Sequence, residues 1–134
     1  MTVKFTVVPR KDPRDPDSQP KFYAMLKSVG RADKDRISAL IARMSSMSST
    51  DTIGMLEAFL NVVPDELAEG RIVELGDFGT FRLSVTSEGS ETAEEVTSAN
   101  IANVKVLFTP GKRFKQVLAN LKFQKEAAES GAGT

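Results

Sequence analysis

The spacing of apolar residues changes along the chain, and each change marks an element. Val3–Val8 and Phe22–Leu26 are short β-type runs. Between them lies Pro9–Pro20, with its prolines and Asp12, Asp15 and Asp17. Proline fixes φ and lacks an amide donor, so this stretch predicts an exposed loop joining two strands. From Asp33 the period becomes helical: Ile37, Leu40, Ile41 and Met44 fall on one stripe, with Asp33 placed as the cap. Ser45–Ser49 interrupts the stripe, and Ser48 with Asp51 three residues on starts a second helix. There Ile53, Leu56, Leu60, Val63 and Leu67 repeat, widened by Met55, Phe59 and Val62. One partner helix cannot cover that much apolar surface, which predicts a dimer. Pro64 predicts a kink or a restart within this helix, and Gly70 its end.

Arg71–Leu83, RIVELGDFGTFRL, then alternates apolar and polar residues and breaks at Gly76-Asp77. It reads as strand Arg71–Leu75, a tight turn, and strand Phe78–Val85. Gly79 lies among aromatics, where a residue without a β-carbon lets Phe78 and Phe81 pack closely against a neighbour. Thr86–Asn103 follows, then Val104–Phe108 as a returning strand. Thr109 is placed to cap a last helix with Pro110 at its first position, and Phe114, Val117, Leu118 and Leu121 form its stripe. Glu126–Thr134, rich in Ala, Gly and Ser, predicts a mobile tail.

This order resembles the HU/IHF family of bacterial histone-like, DNA-binding proteins. The residues that carry the resemblance are Gly76-Asp77-Phe78-Gly79-Thr80-Phe81 and Phe108-Thr109-Pro110-Gly111-Lys112, with a helical hairpin before them. It covers roughly Asp33 to Phe123. A longer form, with an amino-terminal extension much like Met1–Ala32, resembles an HU-like group of Bacteroides-type bacteria. The resemblance implies an α+β, HU-like fold: residues 1–32 as a β extension of two strands, 33–125 as the DNA-binding domain, and 126–134 as a flexible tail. It implies an intertwined homodimer with Phe59, Phe78, Phe81 and Phe108 in a shared core, and a place in the cytoplasm on the bacterial nucleoid.

Charge changes the picture. With 18 basic and 18 acidic residues in 134, the net charge is zero, unusual for a protein that coats DNA. Phosphate affinity comes from Lys and Arg displacing counterions, so a neutral chain must gather its cations on one face. Lys105, Lys112, Arg113, Lys115, Lys122 and Lys125 follow one another with no acidic residue between Lys105 and Lys125. A helix amino terminus also points amides outward, which places Gly111 and Lys112 to meet a phosphate. The resemblance assigns a backbone contact to Lys112, with Lys115 a second, and another to Lys34 at the start of the first helix. A family arginine aligns with Ser84, and Arg82 beside it is the nearest substitute. The candidate DNA contacts are therefore Lys34, Arg82, Lys105, Lys112, Arg113 and Lys115.

The arm departs from the family. HU-like arms are basic hairpins that wedge a proline into the minor groove. Thr86–Asn103 holds Glu88, Glu91, Glu94 and Glu95, and neither a cation nor a proline, so intercalation by it is not expected. It reads as a shortened, solvated hairpin, as one that swings aside, or as a segment docking on a basic surface. The extension, with Lys4, Arg10, Lys11, Arg14, Lys21 and Lys27, reads either as a solvated tether or as an accessory DNA arm.

Cysteine and histidine are both absent, which removes thiol chemistry, the commonest general base and the commonest zinc ligand. No glycine-rich phosphate loop or nucleophile elbow occurs. No run is apolar enough for a signal peptide or a membrane span. The expectation is a soluble, non-enzymatic protein without cofactor, metal or small-molecule substrate. It binds double-stranded DNA through phosphates, or it is a dimeric interaction module that kept an HU-like body and lost the DNA grip.

Overall fold

The computed structural model describes residues 1–126, and the expected tail lies outside them from residue 127 onward. The architecture is α+β, and the described residues divide into two compact units: Ala32–Gln116, and Met1–Arg31 together with residues 117–126.

In the first of these, α1 (Lys34–Met44) and α2 (Ser49–Ala68) form a helical hairpin. Asp33 caps α1 by accepting the Arg36 amide at 2.9 Å, and Ser48 caps α2 by accepting the Asp51 amide at 3.1 Å. Ser38 and Thr52 are buried, and each hydroxyl donates to a carbonyl one turn back, Asp35 at 3.0 Å and Ser48 at 2.8 Å. The helix α2 runs through Pro64 without restarting. It ends where the Gly70 amide bonds the Leu67 carbonyl at 2.9 Å and the Arg71 amide the Glu66 carbonyl at 3.2 Å. Gly70 takes φ +85° there, so the end is a Schellman motif that satisfies carbonyls left over by the helix.

A three-stranded antiparallel sheet follows, in the order β3 (Val73–Glu74), β4 (Gly79–Ser87), β5 (Ile101–Pro110). The register sets Phe81 opposite Phe108, Leu83 opposite Val106 and Val85 opposite Val104. Opposed residues share a face, so this face of the hairpin is apolar. Leu67 on α2 is the one buried apolar side chain among the described residues. With Val63, Pro64 and Ala68 it lines an apolar cleft of about 360 Å³ closed on the other side by Phe81, Leu83 and Val106.

The other unit is a three-stranded sheet with β1 (Thr2–Arg10) at its centre, antiparallel to β2 (Lys21–Leu26) and parallel to β6 (Lys122–Lys125). Here the chain departs from expectation, because Lys122 and Lys125 belong to this strand and not to the last helix. That helix, α3, spans only Lys112–Ala119. The extension is thus completed by residues from the far end of the chain. Glu126, expected to begin a mobile tail, donates its amide to the Phe5 carbonyl at 2.8 Å and pairs with Lys27 at 2.6 Å. Among the described residues, no helix is long and apolar enough to cross a membrane.

Candidate nucleic-acid interface

The site is built on the turn Leu75–Phe78. The Phe78 amide reaches the Leu75 carbonyl at 3.1 Å, and Gly76 adopts φ +58°, a conformation that hairpin turns assign to glycine. The turn then presents its carbonyls to the start of α3. Phe78 accepts the Gly111 amide at 3.0 Å, and Asp77 accepts the Arg113 amide at 2.9 Å. The approach is so close that a β-carbon on Gly111 would lie 2.5 Å from the Asp77 oxygen. Gly79 is equally confined, at φ +148°, with the Thr109 carbonyl oxygen 2.5 Å from where its β-carbon would be.

These contacts revise the expected helix start. Thr109 and Pro110 end β5, and α3 begins at Lys112. Pro110 pairs opposite Gly79 at the end of a strand on the edge of the sheet, where a missing amide disrupts no ladder. The Gly111 amide, expected to meet a phosphate, is already bonded to Phe78. What the joint presents outward is side-chain charge. Lys112, Arg113 and Lys115 are exposed around the first turn of α3, with Lys112 and Lys115 three residues apart on one side of it.

Phe114, between them, turns inward. Its ring lies 4.9 Å from Phe78 and 5.4 Å from Phe108, both edge-on, while Phe81 stands 4.7 Å from Phe108. Phe78, Phe81 and Phe108 therefore share a cluster within one chain, and Phe114, on the apolar stripe of α3, joins it. Phe59 lies elsewhere, in an apolar groove of about 290 Å³ with Ile41, Met47, Thr52, Met55 and Leu56.

On the hairpin, Arg82 is opposite Leu107 and Lys105 is opposite Ser84, on the face away from the rings. Lys105 thus supplies a cation across from the position where the family arginine is missing. Both are exposed. Lys34 is differently placed: its ammonium bonds a Glu57 carboxylate oxygen at 2.6 Å. That hydrogen bond, and then the Glu57 charge, hold the lysine above its ordinary value of 10.5. Lys34 is charged, and Glu57 competes with a phosphate for that charge.

The acidic segment is compact. Between Ser87 and Ile101 it forms two short 3-10 turns, Ala93–Glu95 and Ser98–Asn100. Asn100 ties them back, donating to the Glu88 carbonyl at 2.8 Å and to Ser90 at 3.0 Å. Among the described residues, none of its carboxylates is ion-paired, so within the chain it does not dock on Lys112 or Lys115.

Comparison with known proteins follows the same outline. The family model for an HU domain fused to a winged helix-turn-helix, an Ig or a glycine-rich motif matches residues 1–125, the amino-terminal sheet included. DNA-binding protein HU-alpha of Escherichia coli is 31% identical over 90 residues, 64% of this chain and 98% of its own length. HU-alpha of Shigella flexneri matches to the same extent. A crystal structure from Bacteroides vulgatus ATCC 8482, carrying a provisional DNA-binding name, superposes with a TM-score of 0.64 at 17% identity. The superposition covers 92% of this chain and 47% of that one, so the chain spans about half of its solved relative's length. On the match over residues 1–125 and the near full-length alignment with HU-alpha, the chain belongs to the HU family.

Proposed function

We propose that the chain is a histone-like protein that binds double-stranded DNA as a homodimer, through the phosphate backbone and with little base readout. The observation that carries the reading is the joint between the Leu75–Phe78 turn and α3. It fixes Lys112, Arg113 and Lys115 in an exposed cluster, in a stretch that has no acidic residue from Lys105 to Lys125. Phosphate contacts position a protein on the duplex without reading sequence. Arg82 and Lys105 extend the positive surface along the hairpin, and Lys34 adds to it when released from Glu57. HU-alpha, named for DNA binding, supports the same role.

The homodimer follows from what one copy leaves uncovered. Val104 and Val106 on the hairpin are 62% and 58% exposed, and Met55 and Phe59 on α2 are 62% and 42% exposed. A second copy filling both apolar clefts, in an HU-like intertwined arrangement, buries these surfaces and brings Phe59, Phe78, Phe81 and Phe108 into a common core. The HU-like body, read from sequence as 33–125, centres on Ala32–Gln116.

Sedimentation velocity with and without a labelled duplex tests both halves. A free species of twice 14.6 kDa that shifts the duplex at low salt is the expected result. A folded monomer at micromolar concentration refutes the dimer. A dimer that leaves the duplex unshifted refutes DNA binding, and favours the interaction module to which the acidic segment and the Lys34–Glu57 pair point.

A further inference from the structure

The register of the amino-terminal sheet separates its side chains with unusual completeness. Side chains alternate along a strand and opposed residues share a face, so the pairing of β1 with β2 and β6 assigns every position. Thr2, Lys4, Thr6, Val8 and Arg10 of β1 share a face with Lys21, Tyr23 and Met25 of β2 and with Lys122 and Gln124 of β6. The reverse face carries Val3, Phe5, Val7, Phe22, Leu26 and Phe123, with Lys125 its one cation. None of the three strands contains an acidic residue. One face is thus mostly apolar and suited to packing, and the other carries four cations set among polar and apolar neighbours.

We infer that the face bearing Lys4, Arg10, Lys21 and Lys122 is a second DNA-backbone contact, additional to the α3 cluster. Charge complementarity names the occupant, because the strands contribute Lys4, Arg10, Lys21 and Lys122 and no carboxylate to this face, and an anionic polymer is the ligand that meets several cations at once. Arg10 and Lys21 are directly opposed, and the Arg10 guanidinium lies 6.0 Å from the centroid of the Tyr23 ring, a cation–π contact that holds it on this face. Lys4 lies six residues from Arg10, about 20 Å at roughly 3.3 Å per residue, a length over which duplex DNA carries about a dozen phosphates. Of the nearby carboxylates, Glu126, just past β6, pairs with Lys27, and Asp12 and Asp15, in the loop after Arg10, line a pocket with Arg10 and Lys21. There Asp12 accepts the Arg14 amide at 2.8 Å, and Lys11 and Arg14 offset most of the loop's negative charge. The inference rests on the reading that the chain binds DNA.

The test is the salt dependence of binding to a labelled duplex and to a single strand of the same length, for the full chain and for an Arg10→Gln, Lys21→Gln variant. A Lys4→Gln, Lys122→Gln variant probes the other end of the face, and circular dichroism verifies that each folds. Loss of two phosphate contacts lowers the slope of log affinity against log salt by about 1.8 on duplex. Between about 50 and 200 mM salt, each variant then loses roughly tenfold less affinity than the unmodified protein. The Lys112→Ala, Lys115→Ala change should lower the slope separately, and the combined variant by the sum. Unchanged slopes for both sheet variants, beside a lowered slope for the α3 variant, overturn this inference and leave the α3 reading intact. An effect confined to the single strand overturns the duplex assignment. No duplex binding by the unmodified protein at about 50 mM overturns the DNA reading itself, and this inference with it.

Discussion

Replacing Gly79 by alanine tests the joint on which the proposed interface stands. The new β-carbon would lie 2.5 Å from the Thr109 carbonyl oxygen and 2.6 Å and 2.7 Å from two atoms of the Phe108 ring, distances that force backbone or ring to move. The residue also sits at φ +148°, where an L side chain is strained. Backbone strain of this kind costs about 1–3 kcal/mol and overpacking about 1–3 kcal/mol, so the substitution should destabilise by roughly 2–6 kcal/mol. Gly70→Ala is the control. It has φ +85° but nothing within 4 Å of its β-carbon, so it carries strain of about 1–2 kcal/mol without the clash. Urea unfolding at one fixed protein concentration reads both, since association shifts apparent stability. A midpoint for Gly79→Ala equal to that of Gly70→Ala would show that the close approach to β5 carries no energy, and the reasoning about the joint fails.

Further outcomes follow from other contacts. Phe81→Ala removes a ring that packs on Phe108 and lines the apolar cleft, and should cost about 3–5 kcal/mol and weaken self-association, read by sedimentation. Ser48→Ala should cost about 1 kcal/mol by thermal unfolding, through loss of the bond to the Asp51 amide. Glu57→Gln frees Lys34 and should raise duplex affinity and steepen its salt dependence by about one phosphate contact in an anisotropy titration. The same pair sets a pH dependence. Because the folded Lys34 value is raised, the pair's stabilisation is fully present below the ordinary lysine value of 10.5 and is lost as pH rises past it. Any difference between the unfolding curves of Glu57→Gln and the parent should therefore shrink as pH rises through the raised Lys34 value.

Local pattern carried much of the fold. Asp33 and Ser48 cap helices, Gly70 ends one, and the glycine-aromatic run makes the turn, because each depends on neighbours within a few residues. What the pattern missed is non-local. Lys122–Lys125 forms a strand because β1, at the opposite end of the chain, offers an edge, and no local period announces that pairing. Pro110 looked like the first residue of a helix, yet the Gly79 pairing holds it at the end of an edge strand and moves the helix start to Lys112. The α3 cations were legible as a run without acids. Their setting was not: the Asp77 and Phe78 carbonyls occupy the amides, and Glu57, from another helix, holds Lys34. Lys105 lies across from Ser84 only in the observed register, which is why the sequence pointed to Arg82 as the substitute for the absent arginine and not to Lys105.

The most direct test of DNA binding at the α3 start is a fluorescence-anisotropy titration of a labelled short duplex at several salt concentrations, comparing the intact protein with Lys112→Ala, Lys115→Ala. Log affinity should fall linearly with log salt, with a slope smaller in the variant by about one to two phosphate contacts. Equal slopes, or no binding by the intact protein near about 50 mM salt, would contradict the account.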